Sequence, residues 1–251
     1  MTVKPDGAAD EGPKAFDPRA EAGTPEVARI EAFSDAVFAF SLTLLVVATE
    51  VPKNFDGLMK TLCGFLPFAA CFALLSWLWW SHHRYFRRFG SADRVTVILN
   101  LFLLFFLLFY VYPLKFVANL VLGLGEFGRN AAVPKDGSLW IMIVYGAGFM
   151  GISLIFAALY GRARHRRTKA GCDPRGAFQA TGEEISWYAN AGIAFLSCVV
   201  AMLPFPQATA WSGFTYFLLG PVQAFLGFRR GRAERLRFGD DVARPGTGLR
   251  P

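Results

Sequence analysis

Residues 29–52, RIEAFSDAVFAFSLTLLVVATEVP, read as a membrane span from Ile30 to Val51, yet Asp35 lies inside it. Crossing a hydrocarbon core of ~30 Å takes about 20 helical residues. An aspartate at the centre of such a helix costs about 2.5–3.5 kcal/mol on insertion scales. On a helix, Phe33, Ala36, Phe40, Thr43, Val47 and Glu50 fall along one stripe at steps of three and four. That stripe is mostly apolar, with one hydroxyl at mid-depth and an acid at its outer end. The other faces, with Val37, Leu44, Leu45 and Val46, suit lipid or neighbouring helices. Asp35 falls on a different face from Phe40, beside Glu31 and Ala39. A buried carboxylate must find donors or take up a proton. Donors occur in SWLWWSHHRYF (76–86), as Trp79, Trp80, His82 and His83, and in VILNLFLLF (97–105), as Asn100. Asp35 is then either a clamp that locks helices in register or part of a proton relay.

The rest of the chain fits a membrane setting. Of its 251 residues 54% are hydrophobic and 26 are Phe, and these arrive in blocks. Six blocks are long enough to cross, near 30–51, 58–80, 95–122, 139–160, 184–203 and 209–228, which predicts an all-α integral membrane protein. Pro113 and Lys115 near the end of the third suggest a kink or an early exit. Residues 1–28 are polar and acidic, read as a disordered tail rather than a removable leader. Residues 229–251 form a basic tail.

A net charge of +7 would suggest nucleic acid in a soluble chain, but its distribution points elsewhere. With six spans, most of the 26 basic residues fall on one side: the N-terminus, the second loop, the fourth loop and the C-terminal tail. By the positive-inside rule both termini are expected to be cytoplasmic. The basic tail is placed to meet anionic lipid head groups. No nucleic-acid partner is expected.

Other motifs carry less. VYGAG (144–148) looks like a carbonyl filter but lies mid-span with no threonine before it, and Gly146, Gly148 and Gly151 fit close helix packing. Adjacent His82 and His83 point in different directions on a helix and have no ligand partner at metal spacing. His165, within RARHRR, reads as part of a solvated basic loop. Cys63, Cys71, Cys172 and Cys198 form no C-x-x-C pair and read as apolar fillers. Phosphate-loop and nucleophile-elbow motifs are absent, so no enzyme and no cofactor is expected. There is also no pair of broken half-repeats of the kind that marks secondary transporters.

Arg29, Phe33, Ser34 and Asp35 spell R-x-x-x-F-S-D, followed by A-V-F-A-F-x-x-T-L-L and closed by Val51 and Pro52. Together with W-x-x-H-H (Trp79, His82, His83), Asn100 and Pro113, this resembles the transmembrane protein 175 family of potassium channels. The six-span layout is similar to one repeat of that family, as in its bacterial members. The resemblance implies a homotetramer in a bacterial-type plasma membrane, conducting K+ passively, with the four first helices lining a central pore. It further implies a narrow layer at Phe40, a threonine layer at Thr43 and an apolar layer at Val47. Arg29, Phe33, Ser34 and Asp35 would join Trp79, His82 and Asn100 in a network that supports the pore helix, which favours the clamp reading of Asp35. The family usually has isoleucine or leucine at the constriction. Phe40 would either block the pore by size and dewetting or offer a cation–π contact of about 0.5–2 kcal/mol. Two other readings stay open: a proton-coupled carrier using Asp35 and His82, and a non-conducting scaffold.

Overall fold

The computed structural model describes residues 22–47, 53–63, 65–122, 135–170, 173–205 and 207–239. The outer parts of both tails, Cys172, and residues 48–51 of the first span lie outside them. The helices are α1 (Pro25–Val47), α2 (Phe55–Cys63), α3 (Phe65–Phe89), α4 (Arg94–Leu122), α5 (Lys135–Ala170), α6 (Pro174–Ala201), α7 (Ala208–Phe214) and α8 (Leu219–Phe238). A 3₁₀ turn, Thr215–Leu218, joins the last two. Five of these, α1, α3, α4, α5 and α6, are long and apolar enough to cross a membrane. α1 starts at Pro25, inside the stretch read from sequence as tail.

Local chemistry sets several boundaries that hydropathy placed elsewhere. The span expected at 58–80 is two helices. The Asn54 side chain accepts from the Gly57 amide at 2.7 Å and starts α2, while Pro67 sits buried in the first turn of α3, where proline is tolerated. The RARHRR stretch is not a solvated loop but the last turns of α5. Asp173 ends the short connection, accepting from the Gly176 amide at 2.9 Å to cap α6, with Pro174 at its first turn. The segment read as a sixth span, 209–228, is helical but interrupted. There the Ser212 and Thr215 hydroxyls donate to the carbonyls of Thr209 and Ser212 at 2.7 and 2.6 Å, three residues back. Ser197 of α6 takes the Ser212 carbonyl as well, at 2.9 Å. Hydroxyls competing for backbone acceptors tighten the helix into 3₁₀ geometry.

The core runs through α3, α4, α5 and α6, with Val27, Phe38 and Leu45 of α1 packed onto it. Phe156 stacks on Trp187 at 4.1 Å, and Tyr216 of the 3₁₀ turn meets Tyr145 edge-on at 5.0 Å. Water does not drive helices together inside a bilayer, so close packing has to. The α5 glycines supply it within an unbroken helix. A Cβ on Gly148 would stand 2.7 Å from the Tyr110 ring, and one on Gly146 would stand 2.4 Å from Cys198 Sγ. α1 is peripheral and packs on α3 and α4 alone among the stronger helix contacts.

One end of the bundle is tied by ion pairs. Asp93, between α3 and α4, receives Arg162 at 3.0 Å and Arg166 at 3.3 Å. Arg164 pairs with Glu184 at 2.8 Å, and Arg167 is buried against Asp173. Burial alone would raise the Asp93 carboxyl, but hydrogen bonds from Ser91, Thr96 and Arg162 hold it down to about 2.

Two outcomes follow from this packing and charge. Gly146→Ala lowers thermal stability in detergent by about 1–3 kcal/mol through overpacking, and Cys198→Ala in the same chain restores most of it. A carboxyl whose folded pKa is depressed stabilises the fold above its ordinary value of 3.8 and loses that contribution as pH falls through about 2. Acid-unfolding curves between about pH 4 and pH 2 should therefore flatten in Asp93→Asn.

Candidate functional site: the two faces of the first helix

Helix α1 carries two unlike faces. Val27, Ser34, Phe38, Ser41 and Leu45 are buried along one, at helical spacing, against the bundle. Ala32, Phe33, Ala36, Ala39, Phe40, Thr43, Val46 and Val47 are exposed along the other. Phe40 is 55% exposed and Val47 70%, which in an apolar helix marks a face awaiting another surface.

The buried face is fixed by a polar chain through three helices. Ser34 Oγ donates to the Ile30 carbonyl at 2.8 Å and accepts from Asn100 Nδ2 of α4 at 2.9 Å. Asn100 Oδ1 in turn lies 2.8 Å from His82 Nε2 of α3. Since the amide oxygen only accepts, His82 carries its proton on Nε2 in this contact. Phe38 and Phe86 enclose the imidazole, with ring centroids at 5.4 and 4.6 Å. Ser34, His82 and Asn100 are all essentially buried, so each polar atom in the chain requires its neighbour.

A second tie runs beside it. Trp79 Nε1 donates to Asp35 Oδ1 at 2.8 Å. His83 stacks on Trp79 at 5.6 Å and places Nδ1 2.6 Å from Glu31 Oε1, one turn before Asp35. Glu31 and Asp35 thus both face α3, Asp35 accepting from the Trp79 indole N–H and Glu31 lying within ion-pair distance of the His83 ring.

The structure brings Ser34, Asp35, Trp79, His82 and Asn100 together. Arg29 and Phe33 line a cleft beside Asn100 but bond to none of these groups. Arg29 is exposed and makes no hydrogen bond among the described residues, and Phe33 is 55% exposed on the Phe40 face. From sequence His83 was weighed as a donor to Asp35 and as a metal ligand; its partner is Glu31, whose spacing of one turn from Asp35 was the available signal.

The exposed face has its own chemistry. Thr43 Oγ1 donates to the Ala39 carbonyl at 3.0 Å, which spends its proton inside the helix and leaves oxygen lone pairs outward. Phe40 makes no ring contact among the described residues. Among these residues no group of three or more His, Cys, Asp or Glu could hold a metal ion.

If the ties hold α1, removing a donor costs more than softening an acceptor. Trp79→Phe strands a carboxylate and lowers stability by about 1–3 kcal/mol, while Asp35→Asn retains an acceptor oxygen and costs less. Asn100→Leu, which orphans both Ser34 and His82, is expected to be at least as damaging as Trp79→Phe. Thermal unfolding of the detergent-solubilised protein ranks the three.

Comparison with known proteins places the chain among its relatives. The family model for the endosomal/lysosomal potassium channel TMEM175 matches residues 29–110, the segment that holds both ties. A protein of Marivirga tractuosa described as a potassium channel is 35% identical over 211 residues, covering 79% of this chain and 85% of its own. Among solved structures, a variant of the potassium channel MtTMEM175 bound to a nanobody–MBP fusion superposes with a TM-score of 0.68 at 32% identity. That match covers 81% of this chain and 93% of the other. A TMEM175 homolog from Chamaesiphon minutus shares the fold at a TM-score of 0.57 and 22% identity, over 82% of this chain and 99% of its own. The chain belongs to the TMEM175 family of potassium channels.

Proposed function

We propose that this protein is a passive, potassium-permeable cation channel whose path is lined by the exposed face of α1 in a homo-oligomer of four chains. One observation carries the reading. α1 is tied on one side by Ser34, Asp35, Trp79, His82 and Asn100, while Ala36, Phe40, Thr43 and Val47 stand free on the other. A lone chain encloses no symmetric path. Cyclic assembly about that face supports one.

Each layer then has a distinct physical task. Four Phe40 rings form the narrowest point, where an ion sheds part of its water and meets aromatic faces worth about 0.5–2 kcal/mol. Thr43 offers hydroxyl oxygens one turn further on, and Val47 widens into an apolar mouth. The tied face keeps the Phe40 ring in register, because a rotation of α1 would break the Asn100 chain. Arg29 and Phe33 belong at the entrance of the path, with Arg29 at the tail end of the helix.

The topology goes with this assignment. The ion-paired end of the bundle carries the arginines of α3, α5, α6 and α8, which supports a cytoplasmic position for it and for both termini. Completing six crossings requires α7, the 3₁₀ turn and α8 to serve jointly as the last span. Residues 1–28 and 229–251 then flank a channel domain, 29–228, in a bacterial-type plasma membrane. The permeant ion is K+, with no bound cofactor.

Potassium flux into liposomes containing the purified protein, run beside sodium, tests this. Wild type carries K+ in preference to Na+. Phe40→Ala carries more of both and discriminates less, and Phe40→Leu restores preference. Flux indifferent to residue 40 removes it from the narrow layer, and no flux in any of the three, with oligomers intact, contradicts the channel.

A further inference from the structure

At the charged end of the bundle, α3, α5, α6 and α8 converge on a small polar cavity of about 60 Å³, lined by Arg84, Arg88, Tyr160, Gln179, Glu183 and Arg230 among others. It lies apart from α1 and takes no part in the ion path. Tyr160 lines it and is 0% exposed, its ring held edge-on by Tyr85 and Phe89. The Tyr160 hydroxyl and Arg84 Nε stand near one another, both buried, yet neither has a well-formed hydrogen bond among the described residues.

The acids around this cavity are already occupied. Glu183 accepts from Arg230 at 2.9 Å and from Arg84 at 3.5 Å. Glu234 accepts from Arg175 at 2.9 Å and from Gln179 at 2.8 Å. Gly182 leaves room for the Arg230 stem to cross α6, since a Cβ there would stand 2.3 Å from Arg230 Cδ. The capacity left unspent consists of donors: the Arg84 Nε–H, the Tyr160 hydroxyl, and the exposed Arg88 guanidinium, which has no partner among the described residues. Three guanidinium groups face two carboxylates, so the lining carries a net positive charge. Unmet buried donors cost free energy, and a ligand rich in acceptor oxygens removes that cost.

We infer that this cavity binds a phosphate group, held by Arg84 Nε, Arg88 and the Tyr160 hydroxyl. Its size suits one tetrahedral oxyanion. Its position, where apolar helices give way to arginine, suits the head group of an anionic phospholipid or a soluble phosphate. Either one bridges α3 to α5 beside the Arg230–Glu183 pair, and so fastens the C-terminal helix α8 to the bundle.

The test uses the full-length oligomer. Native mass spectrometry measures retention of phosphatidylglycerol against phosphatidylcholine, and thermal unfolding measures stabilisation by inorganic phosphate against chloride at equal ionic strength. The variants are Arg88→Gln, an exposed position, and Tyr160→Phe, which preserves the ring packing. Preferential retention of phosphatidylglycerol, weakened roughly tenfold in either variant, identifies a lipid head group. Stabilisation by inorganic phosphate without lipid preference, lost in the same variants, identifies a soluble anion. If both variants behave as wild type in both measurements, the cavity holds only water and the inference is wrong.

Discussion

The hydrogen bond from Asn100 to Ser34 is the constraint on which the arrangement of α1 depends. Ser34 has spent its own proton on the Ile30 carbonyl, so it meets α4 only as an acceptor. Asn100 supplies that donor and presents its oxygen to His82 on α3. Three helices are fixed by one amide that cannot be rotated without losing both partners. The Trp79–Asp35 bond adds a second point on the same side of α1. Because both ties lie on one side, the opposite side carries no obligation within the chain. It is left free to meet other copies and an ion.

This division explains how an aspartate persists in an apolar span. Its cost is offset by an indole N–H at 2.8 Å, with a His83–Glu31 contact one turn away. The acids of α1 lie toward its N-terminal half, where a helix dipole favours negative charge. Its C-terminal half holds none of these ties. There Lys115 of α4 reaches the Leu45 carbonyl at 3.4 Å, a cation placed where helix dipoles favour one.

Much of this was legible in the sequence. The stripe Phe33, Ala36, Phe40, Thr43 and Val47 follows from helical spacing alone, as does the separation of Asp35 from it. The donors expected for Asp35 were confined to two short motifs; Trp79, in the first, takes that role, while Asn100, in the second, donates to Ser34 instead. What hydropathy missed depends on side chains bonding to backbone or to distant charges. The cap at Asn54 splits the expected second span. The Ser212 and Thr215 hydroxyls interrupt the last one, and a hydropathy average cannot register either. RARHRR read as solvated because its acids, Asp93, Asp173 and Glu184, lie elsewhere in the chain and meet it only after folding. Arg29 and Phe33 sit beside the ties in sequence and share a cleft with Asn100, yet form no hydrogen bond with the network, which a motif cannot express.

The central claim is that Phe40 faces the ion path while Phe38, two residues away, faces the bundle; they are 55% and 3% exposed. Single cysteines at 40 and 38, each in a chain whose four native cysteines are alanine, put this to one direct measurement. A water-soluble, charged thiol reagent is added while potassium flux is followed in liposomes. The account predicts that Phe40→Cys is modified and its flux blocked, while Phe38→Cys conducts unchanged. Block at position 38 with none at 40 would mean that the wrong face of α1 has been assigned to the pore.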